Sequence, residues 1–303
     1  MNRESSYFKR AHLMVRTLPY VATENCFALK GGTAINFFLR DMPRLSVDID
    51  LTYLPIEPRE TSLPKISEAL KRISTAITKS GLKVQDGRDQ TGRIHKLFVS
   101  DGESRIKIEP NEVIRGAIHP PELRDLSAAV EEMFETSATI QTLSLPDIYA
   151  GKLCAALDRQ HPRDLFDVKI LLENEGITDS IRRAFVIYLA CHDHPMHELI
   201  EPTLKDIRTT FDREFVGMTT APIDLEELIT TRDTMIKQLR TGLTIEERQF
   251  LISIKEGNPR WDLLDTPGIE KLPALQWKLL NIRKMNRPKH TEHLMKLRDA
   301  LRI

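Results

Sequence analysis

The most constraining stretch of the chain is residues 30–50, KGGTAINFFLRDMPRLSVDID. Gly31, Gly32 and Thr33 precede a short apolar run, 34–39, that reads as a buried helix and is broken by Pro43. A strand over 46–53 follows, with Asp48 and Asp50 two residues apart. Side chains at i and i+2 of a strand share a face, so both carboxylates project into one site. Paired carboxylates repel, and a divalent cation relieves them; Mg²⁺ takes oxygen ligands, commonly one or two carboxylates plus substrate phosphates. A small-residue turn at a helix start offers backbone N–H groups and a hydroxyl to an anion. An isolated Asp-x-Asp is more often the wet face of an edge strand. Here a Gly-Gly-Thr turn lies upstream, fourteen residues separating Thr33 from Asp48, and the combination is what nucleotidyl transfer requires.

Two further segments carry chemistry. Strands over 94–100 and 104–110 are joined by Asp101-Gly102, a strong hairpin signal. The second puts Arg105, Lys107 and Glu109 on one face, so Glu109 is a candidate third metal carboxylate and Lys107 a candidate phosphate contact; a solvent-facing strand edge explains the pattern equally well. In SLPDIYAGKLCAALDRQHPRDLFDVKIL, helices over 148–157 and 163–174 carry Lys152 on an otherwise small and apolar face, and Asp164 and Asp167 at i, i+3. A lysine amid small residues suits a charge directed at a triphosphate, against the commoner snorkelling surface lysine. Acids at a helix start also serve the helix dipole.

These blocks resemble, in order, the AbiEii/AbiGii nucleotidyltransferase toxins, which include the MenT transferases; the likeness covers roughly the first 175 residues. The resemblance implies an α/β (α+β) DNA-polymerase-β-like nucleotidyltransferase fold with a helical C-terminal domain. It implies a toxin of a bacterial toxin–antitoxin or phage-defence system with a cognate antitoxin. The implied activity is Mg²⁺-dependent, with two ions, and moves NMP from an NTP to RNA, at the tRNA 3′ end, blocking translation. Residue by residue, Gly32 and Thr33 match the phosphate-binding turn, with Gly31 before them a further nucleotide-binding candidate, and Asp48 and Asp50 match the metal aspartates. Ser46 matches the serine of Arg-x-Ser-x-Asp, Lys152 the nucleotide-binding lysine, and Asp164 and Asp167 the Arg-Asp-x-x-Asp block. Glu109 stands where the wider superfamily often has Asp. The alternatives are NMP transfer to protein side chains and a non-catalytic nucleotide-binding regulatory module.

The rest of the sequence bounds this reading. With 44 basic and 44 acidic residues among 303, net charge gives no global pull towards nucleic acid or membrane. The balance is uneven: from Lys271 onward nine Lys/Arg face only Glu292 and Asp299, and this basic tail reads either as a solvated helix or as an RNA-gripping arm. Trp261 and Trp277 read as packing residues. Cys26, Cys154 and Cys191 are scattered, without a CxxC pair, as in a reduced, cytoplasmic protein. No stretch reads as a signal peptide or membrane span. Cys191, His192, His194 and His197 have zinc-ligand types, but their spacing fits no standard site. Beyond Thr178 the periodicity is helical throughout, over 179–192, 203–215, 224–240, 244–256, 273–286 and 290–301. The expected division is a catalytic domain, 1–176, and a helical domain, 177–303, that binds the RNA substrate.

Overall fold

A computed structural model describes residues 3–303. The chain forms two compact units, Met1–Ser144 with Val216–Pro222, and Leu145–Phe215 with Ile223–Ile303. The units therefore part after Ser144, whereas the sequence pattern suggests a division after 176. The reason is packing that periodicity does not reveal: the first helix beyond Ser144 buries Ile148, Tyr149, Leu153 and Leu157 within the helical unit.

The first unit comprises α1 (Ser6–Val21), β1 (Phe27–Lys30), α2 (Gly31–Ala34), a π-helical turn (Ile35–Leu39), β2 (Asp48–Tyr53), α3 (Arg59–Lys79), β3 (Lys83–Arg88), β4 (Ile94–Ser100), β5 (Arg105–Asn111), β6 (Glu122–Asp125), α4 (Ala128–Phe134) and β7 (Thr139–Thr142). The seven strands make one mixed sheet in the order β3-β4-β5-β2-β1-β7-β6. β2 pairs parallel with β5, and β1 parallel with β7; the other pairs are antiparallel. Alternation on the central strands separates the two faces. Leu29, Ile49, Leu51, Leu97, Val99, Ile106 and Ile108 are buried, with α1 and α3 packed on the sheet. Lys30, Asp48, Asp50, Lys107 and Glu109 take the opposite parity and are only half-buried.

α1 starts where Ser5 Oγ accepts the Phe8 N–H, and α3 ends before Gly81, whose φ of +92° suits a left-handed stop. The segment 216–222 also belongs to this unit. Leu45 N–H donates to Met218 O at 2.8 Å and Thr220 N–H to Pro43 O at 3.0 Å, which fixes the linker that leads into β2. The sequence pattern indicates β2, β4 and β5 but misses β3, β6, β7 and α4, which are short or carry few apolar residues.

The second unit is helical: α5 (Leu145–Arg159), α6 (Pro162–Glu173), α7 (Asp179–Cys191), α8 (Met196–Ile200), α9 (Arg208–Glu214), α10 (Leu225–Gly242), α11 (Ile245–Glu256), α12 (Pro273–Lys284) and α13 (Arg287–Leu301). Asp224 with Glu227, and Thr244 with Glu247, form capping boxes that start α10 and α11. On α5, a Cβ added at Gly151 would lie 3.4 Å from the Tyr188 ring, so a small residue lets α7 approach. The helix expected over 203–215 is shorter, and α8 precedes it. No helix among the described residues is long and apolar enough to cross a membrane.

Because Ile49 is fully buried between the two carboxylates in sequence, Ile49→Ala should lower stability by about 2–5 kcal/mol. Denaturant unfolding checks this; a loss under about 1 kcal/mol would place Ile49 outside the core.

Candidate active site

In the first unit the site grows from one glycine turn and one strand. Gly31 has φ of +71°, the left-handed region that favours glycine, and a Cβ there would sit 2.8 Å from Asp50 Oδ2. The turn therefore brings its backbone directly against the Asp50 carboxylate. At Gly32 a Cβ would lie 2.6 Å from Arg44 Nη2 and 3.2 Å from Ser46 Oγ. Arg44 is buried beneath the turn, and its Nη1 donates to Leu45 O at 2.8 Å. The Thr33 hydroxyl points inward: it donates to Asp48 O at 2.5 Å and lies 2.9 Å from Ser46 Oγ. Thr33 and Ser46 thus tie the turn to the start of β2. The first N–H groups of a helix have no intrahelical acceptor, so the Gly31–Ala34 backbone is the part of the turn with donors to offer.

Register sets the partners of the two aspartates. Asp48 pairs with Lys107 and Asp50 with Glu109 across the parallel β2–β5 ladder, while Lys30 pairs with Asp50 from β1. Glu109 is in place to be a third carboxylate, but its Oε2 accepts from Lys107 Nζ at 2.7 Å and its Oε1 lies 3.7 Å from Lys96 Nζ. Burial pushes the Glu109 pKa up, yet Lys107, Lys96 and His95 outweigh burial and hold it below the ordinary value. Burial likewise lowers Lys107, and Glu109, Asp48 and Asp50 more than reverse it. Among the described residues no three His, Cys, Asp or Glu side chains are arranged to hold a metal. The donor set nonetheless fits Mg²⁺: two carboxylates on one face suffice when substrate phosphates complete the shell.

In the second unit Lys152, Asp164 and Asp167 come together, with Arg159 added. Lys152 Nζ lies 2.7 Å from Asp164 Oδ1 and 2.9 Å from Asp167 Oδ2, and Arg159 Nη2 lies 2.8 Å from Asp164 Oδ2. Lys152 is only 6% exposed and Asp167 not at all, so the lysine is neither lone nor snorkelling. Two cations from α5 meet two carboxylates from α6. His161 starts α6 by accepting the Arg163 N–H on Nδ1 at 3.1 Å, while its Nε2 faces Glu214 Oε2 at 3.2 Å. That geometry requires the neutral ring with its proton on Nε2.

The glycine turn, the paired strand aspartates and the mixed sheet together have the parts that nucleotidyl transfer requires. The sequence model described as "Nucleotidyl transferase AbiEii toxin, Type IV TA system" matches residues 12–280. The chain belongs to this AbiEii toxin family, so it is a transferase of nucleotide substrates from a type IV toxin–antitoxin system, with an antitoxin as partner. Its fold is similar to that of MenT4, a nucleotidyltransferase toxin from Mycobacterium tuberculosis H37Rv. The TM-score is 0.62 at 16% identity, over 96% of this chain and 93% of that one. At that identity the likeness establishes the fold. No curated protein sequence matches the chain.

Sequence reasoning missed three participants. Arg44 lies in the quoted Arg-x-Ser-x-Asp stretch, but only the fold shows it under the turn. Arg159 and His161 flank the Lys152 cluster in sequence, and their roles depend on the angle between α5 and α6. In the Cys191–His197 stretch the ligand-type side chains have other surroundings. Cys191 is buried with its thiol pushed up to about 12, and His192 Nδ1 accepts the His194 N–H. His194 Nδ1 meets Asp158 at 2.8 Å, and His197 packs edge-on against His293.

Removing one member of a buried ion cluster leaves an uncompensated charge. Lys152→Ala should therefore cost about 3–5 kcal/mol in denaturant unfolding, and a neutral effect would contradict the buried pairing. His161 makes a pH-dependent contribution. Burial lowers its pKa below the ordinary 6.5, and the Glu214 hydrogen bond opposes this without prevailing. The stability it confers is complete above pH 6.5 and is lost as pH falls through the lower folded value. His161→Asn keeps a neutral cap and should flatten part of the acid-side decline in thermal midpoint; an identical decline would refute the His161 contribution.

Proposed function

We propose that the chain transfers NMP from an NTP to RNA, at the tRNA 3′ end, releasing pyrophosphate in a Mg²⁺-dependent reaction that stops translation. The observation that carries the reading is the Asp48–Asp50 pair on one sheet face, with the Gly31 backbone against Asp50. Asp48 and Asp50 would hold the metal, with Glu109 joining them by giving up Lys107; up to two ions are proposed. When bound, Mg²⁺ neutralises phosphate charge and favours the ionised attacking hydroxyl.

The chain's own residues supply the rest. The Gly31–Gly32 backbone donates to phosphate oxygens, and Thr33 and Ser46 keep that turn fixed on β2. Lys107, released from Glu109, is within the same face to meet a phosphate. The acceptor hydroxyl oxygen forms a bond to the α-phosphorus as the bond to the β-phosphate oxygen breaks. Its electron pair leaves with pyrophosphate, and the hydroxyl proton passes to solvent. Lys152 retains the nucleotide-binding assignment that the family pattern implies, with Asp164 and Asp167 beside it. Two carboxylates already hold Lys152, so a phosphate would share its ammonium with them or displace one.

The test is incubation of purified protein with Mg²⁺, total RNA, a protein extract and each labelled NTP in turn. Label is expected in tRNA-sized RNA, and Asp48→Ala, verified as folded, should lower it by about a hundredfold or more. Label in protein instead would redirect the reading to side-chain modification, and full activity in Asp48→Ala would sink the metal assignment.

A further inference from the structure

The second unit exposes an aromatic residue where the sequence suggests a packing one. On α12, Ala274, Leu275, Leu279 and Ile282 face the core, whereas Trp277 is 53% exposed and Leu280 39%. Trp261, by contrast, packs on Phe250 with ring centroids 6.0 Å apart. Positions i, i+3 and i+7 share a helix face, so Trp277, Leu280 and Lys284 form one outward stripe with Asn281 beside it. The chain then turns into α13, which opens with Arg287, Pro288 and Lys289.

Arg283, Lys284, Arg287 and Lys289 are all exposed, and none has an acidic side chain in ion-pair reach among the described residues. The nearby acid on α13, Glu292, is taken by Lys296 at 2.6 Å. An exposed indole with Lys284 on its own helix face, and three further cations without acid partners close by in sequence, match what single-stranded nucleic acid offers. A base supplies a flat face to stack on, and phosphates supply regularly spaced negative charge. A lipid surface also attracts Trp, Lys and Arg, but interfacial helices present a broad apolar face. Here the exposed apolar stripe of α12 is Trp277 and Leu280, flanked by Gln276 and Asn281.

We infer that the α12–α13 corner is a platform for single-stranded RNA, with Trp277 stacking on a base and Arg283, Lys284, Arg287 and Lys289 meeting phosphates. The inference deepens the proposed function and rests on it for RNA as the acceptor. It concerns binding alone, so it can be tested without turnover.

Trp261→Phe leaves Trp277 as the sole tryptophan of the two in the chain. Titrating that protein with polyuridine should quench its fluorescence. With fluorescein-labelled polyuridine and anisotropy as the readout, Trp277→Ala should weaken binding by about tenfold or more, and Trp277→Phe should retain most of it. The double variant Lys284→Glu and Arg287→Glu should weaken binding and flatten the salt dependence by about 0.7 in log–log slope per lost phosphate contact. No quenching, with unchanged affinity in Trp277→Ala, overturns the platform. A blue shift with phosphatidylserine vesicles and no response to polyuridine overturns it in favour of a lipid surface. The two readings fail separately: quenching without RNA labelling supports the platform and refutes the acceptor, whereas RNA labelling indifferent to Trp277 refutes the platform alone.

Discussion

The first unit depends on the register of β2. Side chains alternate on a strand, so the pairing that buries Ile49 and Leu51 also puts Asp48 and Asp50 on the other face. A slip by one residue would drive two carboxylates into the core and expose two aliphatic side chains. Hydrophobic burial favours the observed register, and the cost of burying unpaired charge excludes the alternative. The geometry of the carboxylate pair is therefore maintained by residues that never touch a substrate. The same logic places Lys107 and Glu109, because Ile106 and Ile108 are buried at the intervening positions of β5.

The two units handle charge in opposite ways. In the first, Asp48 and Asp50 lie side by side and only half-buried, and Glu109 is neutralised by a lysine that other chemistry could displace. In the second, Lys152 and Arg159 are matched by Asp164 and Asp167 in a cluster that is mostly dry. A buried cluster of this kind confers little net stability relative to apolar packing, yet it is costly to break. It ties α5 to α6 through specific atoms, which apolar side chains would not do. A loss of activity on changing Lys152 would therefore have two separable sources, an altered fold and the loss of the proposed nucleotide contact, and paired stability and activity measurements divide them.

What the sequence made legible follows the range of the forces involved. Strand alternation and helical period are local, so β2, β5 and the long helices could be read from residues in line. Asp48 and Asp50 were legible for the same reason: two residues along one strand fix their relation. Lys152 was legible only as an anomaly, a lysine among small residues, because its partners come from the next helix. Arg44 was quoted but given no role, since its place under Gly32 depends on how the linker folds back, held by Met218 and Pro43–Thr220 contacts far apart in sequence. The edge strands β3 and β6 carry too few apolar residues for alternation to show, and the boundary at Ser144 reflects helix packing that no local pattern encodes.

Trp277 shows where residue-type expectations stop. A tryptophan in a helical segment is usually core, because burying its large surface is favourable. On α12 that favourable burial is taken by Leu275, Leu279 and Ile282, and the indole falls on the other side of the same helix. A zero net charge for the whole chain similarly conceals a basic end, since the acids that balance it lie earlier in the sequence. Neither the residue count nor the residue type carries the functional content. The proposed role of Trp277 rests instead on the phase of the helix, which sets the indole and Lys284 on one outward face while Leu275, Leu279 and Ile282 close the core.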